Sequence, residues 1–360
     1  MRVSADKVRQ QILNILLAWG MDDGMAATTA ELMVETDLFG VDSHGISMLM
    51  IYERGLREGR LQLREKPRVL RDGPSFALLD AMAGLGHPVS AMAMNLAVDK
   101  AQKTGIACVG VRNSHHFGAA GVYARIAARR GMLGMVTTGT RGVFMVPPGG
   151  AMPILGTNPL AFAAPAGRNR PFVLDMATTT IAAGKVKVYD LNNKPMPPGW
   201  VVDGTGRSVT DPAEGQKILH ERQEGGLTPL GGLLETGGHK GYGLAVMVHI
   251  LGATLVGGSF SPIRNRTQKP GDSDDLGHFF MAIDPKLFRD AGEFEADLDD
   301  VIDELHALKP ADPSRPVLVA GDPEEQARAE RLENGIPIPD ALDRHVRGIC
   351  ERSGAAYVLA

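Results

Sequence analysis

The sequence predicts a mixed α/β protein in which both chain ends contribute to one helical domain. Three observations carry this. Apolar residues recur at helical spacing through the first 60 residues and again over 295–308 and 322–350. Between these regions, short apolar runs bounded by turn residues are separated by helical stretches, as in a sheet with covering helices. Glycine is abundant, at 44 of 360 residues, and clusters at turns, while aromatics make up only 5%. The length suits two domains or one large one. The division expected is a discontinuous helical domain, 1–72 with 286–360, and an α/β domain over 73–285.

Taken in order, Val8, Ile12, Ile15, Leu16 and Trp19 mark a first helix, stopped at Gly20. Ala26, Ala30, Met33, Val34 and Asp37 mark a second, ending near Gly40. Ser43 is then placed to cap a third, running to about Glu58. On that helix His44, Met48 and Tyr52 fall at i, i+4 and i+8 and share one stripe. Strands are expected at Ser75–Asp80, Ile106–Arg112, Met132–Thr138, Phe172–Asp175 and His278–Asp284, with helices near 88–103 and 118–130. Residues 190–238, rich in Gly, Pro and polar residues, read as a long functional loop that could close over a site as a lid.

Composition excludes several classes. The net charge is −4, and the most basic stretch, Arg264 to Lys269, is followed by Asp272, Asp274 and Asp275. A nucleic-acid binder needs a basic stripe instead. Cys108 and Cys350 are the only cysteines, so no disulfide framework is expected. No secretory segment and no apolar run of about 18 residues is present, which predicts a cytoplasmic protein with no membrane partner. His115 and His116 are adjacent and lack any zinc-ligand spacing, so no metal is expected.

The residues able to do chemistry lie at junctions. Val41-Asp42-Ser43-His44-Gly45-Ile46 and Asn113-Ser114-His115-His116-Phe117-Gly118 each put histidine beside a glycine. Imidazole gives and takes protons near working pH, so the two segments suggest proton transfer on a small molecule, although a histidine there could equally serve as a cap. Gly237-Gly238-His239-Lys240-Gly241-Tyr242-Gly243 opens the apolar helix Leu244–Leu255 and would suit an anion. No G-x-G-x-x-G follows a strand. Asp175, at a strand end, could hold ribose hydroxyls or cap the next stretch of chain, and Arg141 could clamp a carboxylate. Gly156-Thr157-Asn158-Pro159 reads as a turn.

Together, Asp42–Gly45, Asn113–Gly118, Gly156–Leu160, Asp175–Thr178 and His239–Gly243, in that order, resemble the malate/L-lactate dehydrogenase family of the second, non-Rossmann type, over roughly residues 5 to 350. The resemblance implies a homodimer with an unusual nicotinamide-binding fold. It implies NAD- or NADP-dependent hydride transfer between a 2-hydroxy acid and a 2-oxo acid, or reduction of a cyclic imine. His44 and His116 take the acid/base role. Ser43, Met48, Tyr52 and Arg141 fall at substrate positions. His116, Thr138, Thr140, Asn158, Leu174, Asp175, Met176, Lys240, Gly321 and Asp322 fall at cofactor positions. One departure stands out: many members read S-H-G-x-x-R, and here the arginine is Met48. A catalytically silent relative that binds a metabolite is the alternative this loss raises.

Overall fold

The computed structural model describes residues 1–360. Strand β1 (Arg2–Val3) leads into α1 (Ala5–Ala18), capped by the Ser4 side chain, and α2 (Asp23–Leu38), capped by Asp22. Past its first turn α2 is buried on nearly every side. Ala26, Ala30, Met33, Val34 and Leu38 face one core, while Leu32 and the following Phe39 face another. This helix is therefore the wall shared by the two cores.

The third helix starts later than the sequence suggests. A 3-10 turn at Ile46–Met48 precedes α3 (Leu49–Arg57), and Ser43 caps neither. The reason lies in α2: Asp37 Oδ2 accepts the Ile46 N–H at 2.8 Å, and Gly45 is extended at φ −93°, ψ −135°. His44 thus sits on a turn outside the helix, and the expected His44–Met48–Tyr52 stripe is broken.

The middle of the chain supplies β2 (Arg68–Asp72), β3 (Phe76–Asp80), α4 (Gly86–Thr104), β4 (Ile106–Ser114), α5 (Gly121–Arg129), β5 (Leu133–Thr138), β6 (Leu160–Ala164) and β7 (Phe172–Met176). Next come α6 (Ala183–Leu191), β8 (Val201–Val202), β9 (Ser208–Val209), α7 (Pro212–His220) and β10 (Gly226–Leu227). The loop expected over 190–238 is corrected here. Strands β10, β8 and β9 form their own sheet, and Ile181, Val186, Met196, Val201, Ile218 and Leu227 form its core. Strands two residues long carry no detectable alternation, so composition alone dominated the reading.

Helix α8 (Gly238–His249) runs into a π turn at Ile250–Thr254, followed by α9 (Ser261–Thr267), β11 (Leu276–Ile283), α10 (Glu293–Ala307), α11 (Asp322–Asn334), β12 (Ile336–Pro337) and α12 (Asp340–Ser353). At the π turn, a Cβ on Gly252 would stand 2.9–3.0 Å from the Thr138 backbone, so glycine lets this helix press on the end of β5.

The main sheet has the order β2-β3-β4-β11-β5-β6-β7. Only β3 and β4 are parallel, joined by α4, and β11 lies antiparallel to both β4 and β5. This mixed pairing is not the doubly wound parallel sheet that carries a glycine fingerprint. Edge strand β2 is exposed along its whole length and carries Arg68, Arg71 and Asp72, which discourage further pairing. On the sheet, Ala93, Ala97 and Ala101 of α4 pack against Val109, Val111 and Phe280.

The chain ends meet. β1 pairs with β12, and Ile336, Ile338, Val346, Ile349 and Leu359 join the α1–α2 core. Segments between them reach the sheet side instead: Asp299 of α10 accepts the Arg168 and Asn169 N–H groups at 2.7 and 2.9 Å, and Glu325 of α11 pairs with Arg125. No helix is long and apolar enough to cross a membrane.

Candidate active site

The His44 turn is built from α2 and α11. A Cβ on Gly45 would land inside the Asp37 carboxyl, so only glycine lets the turn sit down on α2. Arg331 of α11 donates to the Asp37 carbonyl at 2.6 Å and pairs with the Asp42 carboxylate. Burial pushes the Asp37 carboxyl up to about 8, against the lowering effect of the Ile46 N–H. Ser43 Oγ lies 2.8 Å from His44 Nδ1.

The second histidine segment crosses the start of α4. Asn113 takes a left-handed conformation, φ 50°, and Gly118 follows at φ 78°. Gly86 has to be glycine because a Cβ there would meet the His115 carbonyl and Phe117. The turn sets the rings of His116 and His44 with centroids 5.4 Å apart. Gly118 N–H donates to His116 Nδ1 at 3.2 Å, and Tyr52 Oη stands 2.9 Å from the same nitrogen. An Nδ1 that accepts leaves the neutral ring's proton on Nε2.

Around Tyr52 and Phe117 the structure gathers further histidines, of which His87 and His278 lie in no motif. His87 and His115 lie edge-on to its ring at 5.8 and 6.0 Å. His278 of β11 stacks on Phe117 at 4.6 Å, its two nitrogens 2.6 Å from Thr138 Oγ1 and 2.8 Å from Ser114 Oγ. Burial, reinforced by mutual repulsion, lowers His87 to about 3 and holds His116 well below the ordinary range. Burial likewise lowers His278 to about 3 and depresses His44. All four rings are therefore neutral at working pH.

His44 and Ser43 open onto a cleft between the end of α2, the start of α5, the end of β7 and the start of α11. Asp175 and Met176 line it, as do Gly118–Val122, Arg125 and Glu324. Asp175 Oδ2 accepts the Gly121 N–H at 2.7 Å. Asp175 is exposed to the cleft, but the crowding of the walls around its carboxyl pushes it up to about 6, against the Gly121 N–H and aided by the nearby charge of Glu324.

The other expected residues stand outside this cleft. Met48 is 6% exposed and belongs to the α1–α2 core, so the structure gives it a packing place rather than a pocket face. Tyr52 is fully buried and reaches the site only through His116. Thr138 Oγ1 is engaged by His278 and the Gly139 carbonyl. Asn158 ties Thr140 and the Gly156 N–H to the Ala245 carbonyl and so shapes the turn beside the cleft. Leu174 is half-buried in β7. Gly321 and Asp322 start α11, where the Ala320 carbonyl accepts the Val173 N–H and Asp322 accepts the Val319 N–H. Lys240 is exposed in the first turn of α8. Arg141 Nε lies 3.0 Å from Asp274, a buried carboxylate that the sequence hid inside an acidic run.

A mixed sheet with His44 in the wall of a cleft, and the His116 ring 5.4 Å from it, defines an α/β protein with a candidate small-molecule site. The chain belongs to the malate/L-lactate dehydrogenase family, whose sequence profile matches residues 3–347. It is 39% identical over 354 residues to malate dehydrogenase from Pyrococcus horikoshii, a match spanning 98% of this chain and 96% of that one. It is 35% identical to L-sulfolactate dehydrogenase from Methanothermobacter thermautotrophicus, over 97% and 96% of the two chains. The crystal structure of malate dehydrogenase from Entamoeba histolytica matches with a TM-score of 0.93 at 30% identity, over 99% of each chain. The chain is accordingly an oxidoreductase acting on CH–OH groups of hydroxy acids, and its family implies a nicotinamide cofactor.

Proposed function

We propose that this protein interconverts a 2-hydroxy acid and its 2-oxo acid, with the His44–His116 pair handling the hydroxyl proton. The observation that carries the reading is the 5.4 Å approach of the two rings beside the cleft. The cleft suits a dinucleotide: small residues Gly118–Gly121 would allow close approach, apolar Phe39, Val122 and Val173 would pack on a ring, and Asp175 would accept from ribose hydroxyls. When bound, the nicotinamide supplies or takes the hydride. The chain's part is electrostatic and protonic. His116, with Nδ1 held by Gly118 and Tyr52, keeps its proton on Nε2, which can polarise the 2-oxo oxygen and stabilise the alkoxide. His44, braced by Ser43, is the imidazole that takes the hydroxyl proton in oxidation and, as the imidazolium, returns it in reduction. Arg141 is the clamp for the substrate carboxylate.

The reading favours NAD over NADP. Asp175 and Glu324 share one wall, and Arg125 is paired with Glu325, so a 2′-phosphate on that wall would meet two carboxylates. The reaction is tested by consumption of NADH and NADPH with a panel of 2-oxo acids and cyclic imines. Turnover of a 2-oxo acid is expected, with NADH used at higher kcat/KM, and Asp175→Ser should narrow the difference. Equal use of both cofactors would sink the cofactor choice while leaving the reaction standing. A homodimer is the assembly we propose, since Met247, Ile250 and Leu255 stand exposed along α8 and its π turn. Sedimentation equilibrium checks it, and a monomer would contradict it.

A further inference from the structure

We infer that Asp274 is a positioning residue that aims Arg141 at the substrate carboxylate and fixes it relative to the His116 segment. The inference rests on the 2-hydroxy-acid reading above. Asp274 precedes β11 and is 1% exposed. Its carboxylate receives Arg60 Nη1 at 2.8 and 3.0 Å. His115 Nε2 stands 2.9 Å from Oδ2, and Arg141 Nε lies 3.0 Å from Oδ1. Burial opposes its ionisation, but His115, Arg141 and Arg60 outweigh that and hold the carboxyl well below the usual range.

The backbone is fixed from the same place. Arg264 of α9 donates through one nitrogen to the Asp274 carbonyl and through the other to the Arg141 carbonyl at 3.2 Å. Ser261 donates to the Thr140 carbonyl. The turn that bears Arg141 is thus gripped by α9 while its side chain is gripped by Asp274.

A purely structural role accounts for Arg60 and His115, which are sealed at 7% and 3% exposure of their side chains. It does not account for Arg141, which is 45% exposed. Arg60 is already paired with Glu58 at 2.6 Å as well as with Asp274, so Arg141 is the cation left over. Its Nε faces Asp274, and neither terminal nitrogen has a protein partner. Two parallel N–H groups at the end of a fixed guanidinium match a carboxylate's two oxygens. His115 adjoins His116 in the chain, so one buried carboxylate contacts both the clamp and the segment carrying His116.

The test uses the purified full-length enzyme with Asp274→Asn, Asp274→Glu, Arg141→Ala and the Asp274→Asn/Arg141→Ala double variant. Asp274→Asn should raise KM for the 2-oxo acid by about tenfold to a hundredfold, the range for a hydrogen bond to a charged group. The dissociation constant for NADH, read by fluorescence titration, should stay unchanged. The double variant should be no worse than Arg141→Ala alone, because both act through one clamp. Should the asparagine variant fail to fold, Asp274→Glu keeps the charge, displaces it by one methylene and should show the same split. A folded Asp274 variant with wild-type KM, or penalties that add in the double variant, would overturn the role of Asp274. If Arg141→Ala alone leaves KM unchanged, the clamp itself falls. Turnover of the 2-oxo acid by the wild-type enzyme tests the reaction separately.

Discussion

His116 owes its orientation to two groups on one nitrogen, the Gly118 N–H and the Tyr52 hydroxyl. Removing the hydroxyl leaves the Gly118 N–H in place, so the ring keeps its tautomer. Tyr52→Phe should therefore lower kcat by less than about tenfold, the worth of one neutral hydrogen bond of ~0.5–1.5 kcal/mol. A loss as large as that of a His116 substitution would mean that the tyrosine itself moves the proton. The two motif histidines were legible because each sits beside glycine at a chain junction. His87 and His278 were not, since a single histidine in a helix or strand has no local signature and the fold alone brings His87 to Tyr52 and His278 to Phe117. Asp274 was hidden for a similar reason: Asp272, Asp274 and Asp275 read as solvated charge until Arg60, 214 residues away, pairs with the middle one.

The turn between α2 and α3 shows how neighbouring elements override local propensity. Ser43 has the right chemistry for a cap, yet Asp37 supplies the acceptor from another helix. The sequence pattern marked Asp37 as part of a helix face, but not as the group that would sit under Gly45. Gly45→Ala would drive a methyl into that carboxyl, so the turn carrying His44 must shift. The expected cost is about 1–3 kcal/mol of stability, as for other overpacked sites, together with a clear loss of kcat. A variant with wild-type melting temperature and kcat would contradict the contact. The long apolar strands were readable, while β6 was concealed within a turn motif and β8–β10 were too short to show a period. Strand β2, exposed and charged, offered no apolar face to detect.

For the whole molecule, the buried titratable groups set opposing pH trends. Asp37 titrates at about 8 when folded and near 4 when unfolded, so the fold keeps a proton that the unfolded chain has lost. Its effect is absent below about pH 4, and stability declines as pH rises toward 8. His87 and His278, lowered to about 3, act in the other direction: the unfolded chain takes up protons below about 6.5, so stability falls from there toward about 3. Thermal melts of wild type and Asp37→Asn at pH 5 and 8.5 check the first trend. The variant should gain on wild type as pH rises, and a constant gap would show that Asp37 does not titrate in the fold. The overall mixed architecture was readable because strand and helix periods differ. The strand β11 was readable too, but its antiparallel place between β4 and β5 was not, since pairing order depends on contacts between strands more than 130 residues apart. We propose above all that the His44–His116 pair moves the hydroxyl proton during hydride transfer. The most direct test is the steady-state kcat of His44→Asn and His116→Asn on the best 2-oxo acid with NADH, with circular dichroism confirming the fold. At least one variant should lose about 10²–10⁴-fold in kcat. If both fold and both keep near-wild-type kcat, neither histidine moves the proton.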